Sequence, residues 1–126
     1  MSLPLRSDLT VYCGGVWDDQ FVWKGADGVP VPLAGWSARM DIRDAGDVSP
    51  DPAGTARLKL TSGGGTIVLG ASDGTVTLAV PAATTATLAP TVGGAEYVYD
   101  LELVSGAGEV RKLAYGRVRV VAEVTR

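Results

Sequence analysis

The chain has 126 residues, of which 46% are hydrophobic and 20% charged, and this balance predicts a single globular domain over residues 1–126. Its formal net charge of −3 argues against a nucleic-acid-binding module, because phosphate binding needs clustered Lys and Arg. No apolar stretch has the length of a signal peptide core or a membrane span, which predicts synthesis in a cytoplasm and no membrane partner. The 17 glycines and 7 prolines favour many short strands joined by turns.

Alternating apolar and polar residues predict two strands near the amino terminus. Leu9, Val11 and Cys13 alternate with polar neighbours, which is typical of a strand with one buried face. Cys13 is the only cysteine, and its position on the apolar side predicts a buried free thiol. A second short strand is expected over Gln20–Trp23, followed by a turn at 25–30 that contains Asp-Gly and Pro.

The clearest strand of the amino-terminal half begins at Trp36 and continues through Ala38, Met40 and Ile42, which alternate with polar residues. A polar loop with two prolines follows at 44–54. Shorter alternating or apolar runs then predict strands at 56–60, 67–69 and 76–80.

The carboxyl-terminal half is dominated by two long alternating runs, at 97–103 and 118–124, with a hairpin loop predicted at 105–109. Gly116 lies inside the second run and is expected to bend the strand or mark a bulge. One short helical turn is predicted near 82–88, as a connection across one end of the sheets. The pattern as a whole predicts an all-β sandwich of about seven to nine short strands, with a small β-barrel as the alternative.

The chain contains no histidine, which removes the commonest general base and metal ligand, so no catalytic residue and no cofactor are predicted. Carboxylate pairs remain, but Asp18 and Asp19 are expected on opposite sides of a strand, and Asp100 and Glu102 on a solvated face. A carboxylate-only hydrolase is therefore disfavoured. Basic residues gather near the carboxyl end and are expected to lie on a solvated strand face; they are Arg111, Lys112, Arg117, Arg119 and Arg126.

Two further features leave alternatives open. The aspartates at 41, 44, 47 and 51 are spaced well enough to consider calcium, but they lack the ordered and usually closer spacing of an EF-hand, so a solvated loop is favoured and no metal site is predicted. Trp17 follows a Gly pair and is the tryptophan expected to be partly exposed, either as an interface anchor or as a platform for sugar. Trp36 is expected in the core, in register with Met40 and Ile42.

Several phrases together resemble a group of small tailed-phage virion proteins. They are Leu33-Ala-Gly-Trp within 28–43, Gly74-Thr-Val-Thr-Leu-Ala-Val-Pro, Tyr97-Val-Tyr-Asp-Leu-Glu-Leu, and the run from Gly116 to Arg126. The chain is similar to the amino-terminal domain of phage baseplate upper proteins, which attaches receptor-binding parts to the tail. The resemblance implies an immunoglobulin-like antiparallel β-sandwich with no enzymatic activity, assembled in the host cytoplasm into a virion.

The resemblance also implies a docking role, as a tail, baseplate or fibre adaptor that contacts other virion proteins and forms a homo-oligomer within the particle. Capsid decoration, or the base of a head fibre, is the alternative position. A carbohydrate- or receptor-binding module built on Trp17 is the alternative of another class. Contact is expected through edges and loops, in the segment Met1–Ser7 or in the final strand, with candidate interface residues Leu3, Leu5, Trp17, Val121 and Arg126.

Overall fold

The computed structural model describes residues 4–44, 56–88 and 97–122. Within these ranges the chain forms nine strands and one short helix. In chain order they are β1 (Leu5–Arg6), β2 (Leu9–Tyr12), β3 (Gln20–Val22), β4 (Ser37–Asp44), β5 (Leu58–Thr61), β6 (Ile67–Leu69), β7 (Thr75–Leu78), α1 (Ala82–Thr85), β8 (Tyr97–Val104) and β9 (Val110–Val121).

The strands form two sheets. The larger sheet has the order β1-β9-β8-β4-β5, with β2 also paired to β9, and the smaller sheet has the order β3-β7-β6. Inward residues of both sheets, such as Met40 and Leu101 from the larger and Val76 and Leu78 from the smaller, belong to one buried cluster. This distribution of strands is that of an immunoglobulin-like sandwich, which confirms the predicted fold class.

The direction of the first two strands differs from the prediction. Both β1 and β2 run parallel to β9, with Leu5 beside Ala114 and Leu9 beside Val118, so the sandwich is not purely antiparallel. Side-chain alternation has the same period in parallel and antiparallel strands and therefore carries no information on direction.

Strand β9 is paired with β8 on one side and with β1 and β2 on the other. The final strand therefore has no open edge over these pairs, and the expectation that it docks by its edge is wrong.

The alternation itself is borne out in β4, β8 and β9. Ala38, Met40 and Ile42 are buried in β4, as are Tyr97, Tyr99, Leu101 and Leu103 in β8. The predicted bend of β9 is a register shift opposite Leu101 and Glu102, which pair with Ala114 and Lys112 and leave Leu113 as the extra residue. The irregularity thus lies three residues before Gly116.

Cys13 and Trp36 are less deeply buried than predicted, since each is half-buried and packs against the edge of the core. Trp36 contacts Trp23 edge to face, with ring centroids 5.3 Å apart and planes at 85°. Both tryptophans lie just outside a strand, where a side chain is covered on one side only.

The short helix α1 lies within the predicted range 82–88 and is joined to the turn after β2 by Thr85. The buried Thr85 hydroxyl accepts a hydrogen bond from Gly14 N (3.1 Å) and donates one to Gly15 O (2.6 Å). These contacts satisfy backbone groups of the turn and fix the connection across one end of the sandwich.

Candidate interaction surface

Trp17 is buried, with a relative exposure of 3%, and the expectation of partial exposure is wrong. Its backbone pairs with Val80 in both directions and so extends the β3–β7 ladder towards the amino terminus. Its indole Nε1 donates to Asp19 Oδ2 at 2.7 Å, which satisfies the polar end of the buried ring. Trp17 is thus a core residue and offers no platform to sugar or protein.

The other candidate interface residues are spread over different parts of the sheet. Leu5 and Val121 are both half-buried, and lie beside Ala114 and Tyr12 respectively. The alternation along β9 puts them on opposite faces of the larger sheet, so they do not form one surface. Leu3 and Arg126 lie outside the described residues.

A different surface comes together on the outer face of the larger sheet. It is formed by outward residues of β1, β2 and β9, and is named here the arginine–tyrosine face: Arg6, Tyr12, Tyr115, Arg117 and Arg119. Tyr12 and Tyr115 are 56% and 39% exposed, which is high for large aromatic side chains. The parallel pairing of β1 and β2 with β9 creates this face, because it brings residues at both ends of the chain side by side.

An open groove of about 360 Å³ lies between β1, β9 and β8 and shares Arg6, Tyr115 and Arg117 with this face. The strand register gives its layout, since Tyr115 stands between Arg6 on β1 and Asp100 on β8. Arg117 follows Tyr115 along the same side of β9, and Lys112 lies before it, so three cationic side chains and one carboxylate line the groove. The sequence showed the basic cluster near the carboxyl end, but not that Arg6 joins it.

The groove is shaped by the passage of the chain from β1 to β2, at Ser7 and Asp8. Ser7 N donates to Tyr115 O at 2.9 Å, and Tyr99 Oη donates to Ser7 O at 2.6 Å. Arg117 N donates to Asp8 Oδ1 at 3.0 Å, so a side chain continues the ladder where the backbone departs from it. Gly116 completes the close approach, because a Cβ there would lie 2.3 Å from Ser7 O.

Burial raises the pKa of the Tyr99 phenol to about 12, with smaller effects from the hydrogen bond to Ser7, which lowers it, and from Asp8 and Asp19, which raise it. The phenol therefore stays protonated and acts as a hydrogen-bond donor through the whole physiological pH range. Its role here is to hold β1 and β2 against β9, and no proton transfer is implied.

The rest of the outer face is covered by ion pairs. Arg39 Nε lies 2.9 Å from Glu102 Oε1 across β4 and β8, and Lys59 Nζ lies 3.4 Å from Asp41 Oδ2 across β5 and β4. Glu102 shares the outer side of β8 with Asp100, as predicted. Arg57 pairs with Asp44 through two hydrogen bonds of 3.0 and 2.9 Å, and these bonds lower the pKa of the Asp44 carboxyl.

The acidic residues considered for calcium are only partly within the described chain. Asp41 and Asp44 are engaged by the ion pairs above, while Asp47 and Asp51 lie outside the described residues. Across residues 4–44, 56–88 and 97–122 there is no group of three or more His, Cys, Asp or Glu side chains able to hold a metal ion. In the same ranges no helix has the length and apolar character needed to cross a bilayer.

Comparison with known proteins assigns the chain to no family. No family model matches the chain, and no curated protein matches it. Among solved structures, the chain is similar to Drosophila OTK extracellular domains 3–5, with 12% identity and a TM-score of 0.30. The similarity covers 92% of this chain and 33% of that one, so the chain spans about a third of the OTK structure.

Proposed function

We propose that this chain is a structural module of a tailed-phage particle, a tail, baseplate or fibre adaptor that docks other virion proteins and has no enzymatic activity. The virion assignment is supported by the resemblance of the phrases at 28–43, 74–81, 97–103 and 116–126. The docking role is supported by one structural observation, the arginine–tyrosine face on the outer side of β1, β2 and β9.

The composition of this face favours a protein partner. Tyr and Arg are the side chains most enriched at the energetic centre of protein interfaces, because each combines a large contact area with hydrogen-bond donors. Tyr12 and Tyr115 are both exposed, and Arg119 makes no ion pair within the described residues. The face lies at one edge of the six-stranded sheet, where β1 and β2 are both paired to β9, and this backbone pairing supplies the rigidity that a docking surface needs.

In a particle, the chain would act as one of many identical copies. Repeated contacts raise the overall binding strength without any new interaction, so a modest face of this size is sufficient for stable incorporation. Capsid decoration, or the base of a head fibre, is the second position compatible with the same face. The carbohydrate-binding alternative depended on an exposed Trp17, and no structural observation supports it because that side chain is buried.

Immunogold labelling of purified phage particles tests the proposal. Epitope-tagged protein is expected to decorate the tail or baseplate, and labelling of heads would select the capsid position instead. Tyr12→Ser/Tyr115→Ser should reduce the gold per particle about tenfold, because truncating two interface aromatics costs at least about 1.4 kcal/mol of binding. Val68→Ser is the matched control, since Val68 is 53% exposed but lies on the smaller sheet, and it should label like wild type. Particles without gold in the wild-type sample would refute the virion assignment.

A further inference from the structure

The geometry points to the chemistry of the docking partner: we infer that the groove between β1, β9 and β8 receives an acidic segment of another protein, with carboxylates placed against Arg6 and Lys112. The inference rests on the proposed function, and it deepens that function by naming what the face recognises. The groove volume of about 360 Å³ lies at the small end of ordinary binding pockets and has room for one or two side chains.

The layout of the groove suits a carboxylate beside an apolar stem. Tyr115 lies at its centre, in register with Arg6 on one side and Asp100 on the other. The aromatic ring offers contact area to the methylene groups of a Glu side chain, while the guanidinium of Arg6 is positioned to bind the carboxylate in a bidentate manner. Val98 adds a second apolar contact at the next position along β8.

The present ion pairs of these cations are weak enough to be exchanged. Arg6 Nε lies 3.7 Å from Asp8 Oδ1, and Lys112 Nζ lies 3.5 Å from Asp100 Oδ2. The side chains of the first pair are 58% and 57% exposed, and surface pairs of this kind contribute little to stability. Asp8 is in addition held by Arg117 N, so its oxygen is shared. An incoming carboxylate therefore gains direct contacts without breaking a strong pair.

A protein partner is favoured over a nucleic acid by the charges around the groove. Asp100 lies within the groove itself and would oppose a phosphate chain, whereas a peptide backbone N–H can donate to it. A short acidic protein segment satisfies both the cations and this carboxylate.

Fluorescence anisotropy with a labelled hexaglutamate peptide tests the inference on the purified protein, with hexaglutamine and single-stranded hexathymidylate as comparison probes. Wild type should bind hexaglutamate, and raising the salt from about 0.05 M to about 0.5 M should weaken binding strongly. Arg6→Ala and Lys112→Ala should each weaken it about tenfold, a change that corresponds to the loss of one charge-assisted contact.

Two matched variants control for the loss of positive charge alone. Arg57→Ala removes an arginine of equal exposure, 58%, and Lys59→Ala removes a lysine whose carboxylate partner lies at 3.4 Å, but both lie near the opposite edge of the sheet. Each should change hexaglutamate binding less than twofold. Thermal unfolding of all four variants checks that the fold is kept.

Three outcomes would overturn the inference: no binding of hexaglutamate, equal weakening by the groove and control variants, or tighter binding of hexathymidylate, which would assign the groove to nucleic acid. These outcomes are separable from failure of the proposed function. If the particles carry gold but the groove does not bind hexaglutamate, only the inferred chemistry of the partner is refuted. Hexaglutamate binding at the groove with unlabelled particles would refute only the virion assignment.

Discussion

The outer face of the larger sheet has two halves that differ in strand direction and in the side chains that stand beside their charged residues. Over β4, β5 and β8, Arg39 and Lys59 face carboxylates at 2.9 and 3.4 Å. Over β1, β2 and β9, arginines stand beside exposed tyrosines, and Arg6 has a carboxylate only at 3.7 Å. Both halves contain ion pairs, since Lys112 Nζ on β9 lies 3.5 Å from Asp100 Oδ2, but among the described residues the second half is the one that places exposed tyrosines beside its cations. Side-chain choice on the outward positions thus distinguishes the two halves, and the second half is the one that we propose as the binding surface.

Gly116→Ala is expected to cause the largest loss of stability, by separating β1 and β2 from β9. A Cβ at this position would lie 2.3 Å from Ser7 O and 2.9 Å from Asp8 Oδ1, so β1 and β2 must move away from β9. We expect a loss of about 2 kcal/mol in the free energy of unfolding, as for other overpacked sites, measured by urea denaturation. Gly63→Ala is the control, because a Cβ there meets nothing within 4 Å, and an equal loss in both variants would contradict the explanation.

A smaller effect is expected from Tyr99→Phe, which removes the hydroxyl that donates to Ser7 O at 2.6 Å. The free energy of unfolding should fall by about 1 kcal/mol at neutral pH, because the Ser7 carbonyl loses its partner. The ion pairs of β4, β5 and β8 should be unaffected, which NMR chemical shifts of Arg39 would show.

The raised pKa of Tyr99 also predicts that the free energy of unfolding depends on pH. The pKa of Tyr99 is raised to about 12 in the folded chain, against an ordinary value of about 10 in the unfolded chain. The folded state therefore keeps a proton that the unfolded state loses, and the stabilisation present below pH of about 10 is lost as the pH rises towards 12. Wild type should lose stability over this window more steeply than Tyr99→Phe, and parallel curves would contradict the assignment.

The smallest expected effect on stability comes from a comparison of one arginine in each half. Arg39→Ala breaks a cross-strand ion pair and should cost about 0.5 kcal/mol at low salt, while Arg119→Ala should cost almost nothing. High salt should remove the difference between the two variants, because it screens exposed pairs. Equal costs at low salt would mean that the ion pair between Arg39 and Glu102 does not stabilise the fold.

Much of the fold could be predicted from alternation alone. The runs at Trp36–Ile42, Tyr97–Leu103 and Val118–Val124 predicted the strands β4, β8 and β9, since their burial repeats every second residue. The parallel pairing of β1 and β2 could not be predicted, because it depends on partners more than a hundred residues away in sequence, such as Asp8 and Arg117.

The candidate surface was predicted less well than the fold, and for a related reason. Trp17 was expected to be exposed because a Gly pair precedes it, but its burial depends on pairing with Val80 and on the carboxylate of Asp19. The basic residues of β9 were visible in the sequence as a cluster, but their junction with Arg6 and Tyr12 exists only in three dimensions. A bend or bulge was predicted at Gly116, but the irregularity lies at Leu113, and the close contact of Gly116 with Ser7 could not be predicted from the sequence.

The pairing of the first strands with the last one also sets an order of events in time. Asp8 and Arg117, which are joined across the groove, are separated by 109 residues, so the amino-terminal strands leave the ribosome long before their partner is made. At ordinary elongation rates this interval is roughly 5 to 20 s. Contacts so distant in sequence close late in folding, because loop-closure entropy opposes them. We therefore expect the groove to form late, after synthesis has reached β9.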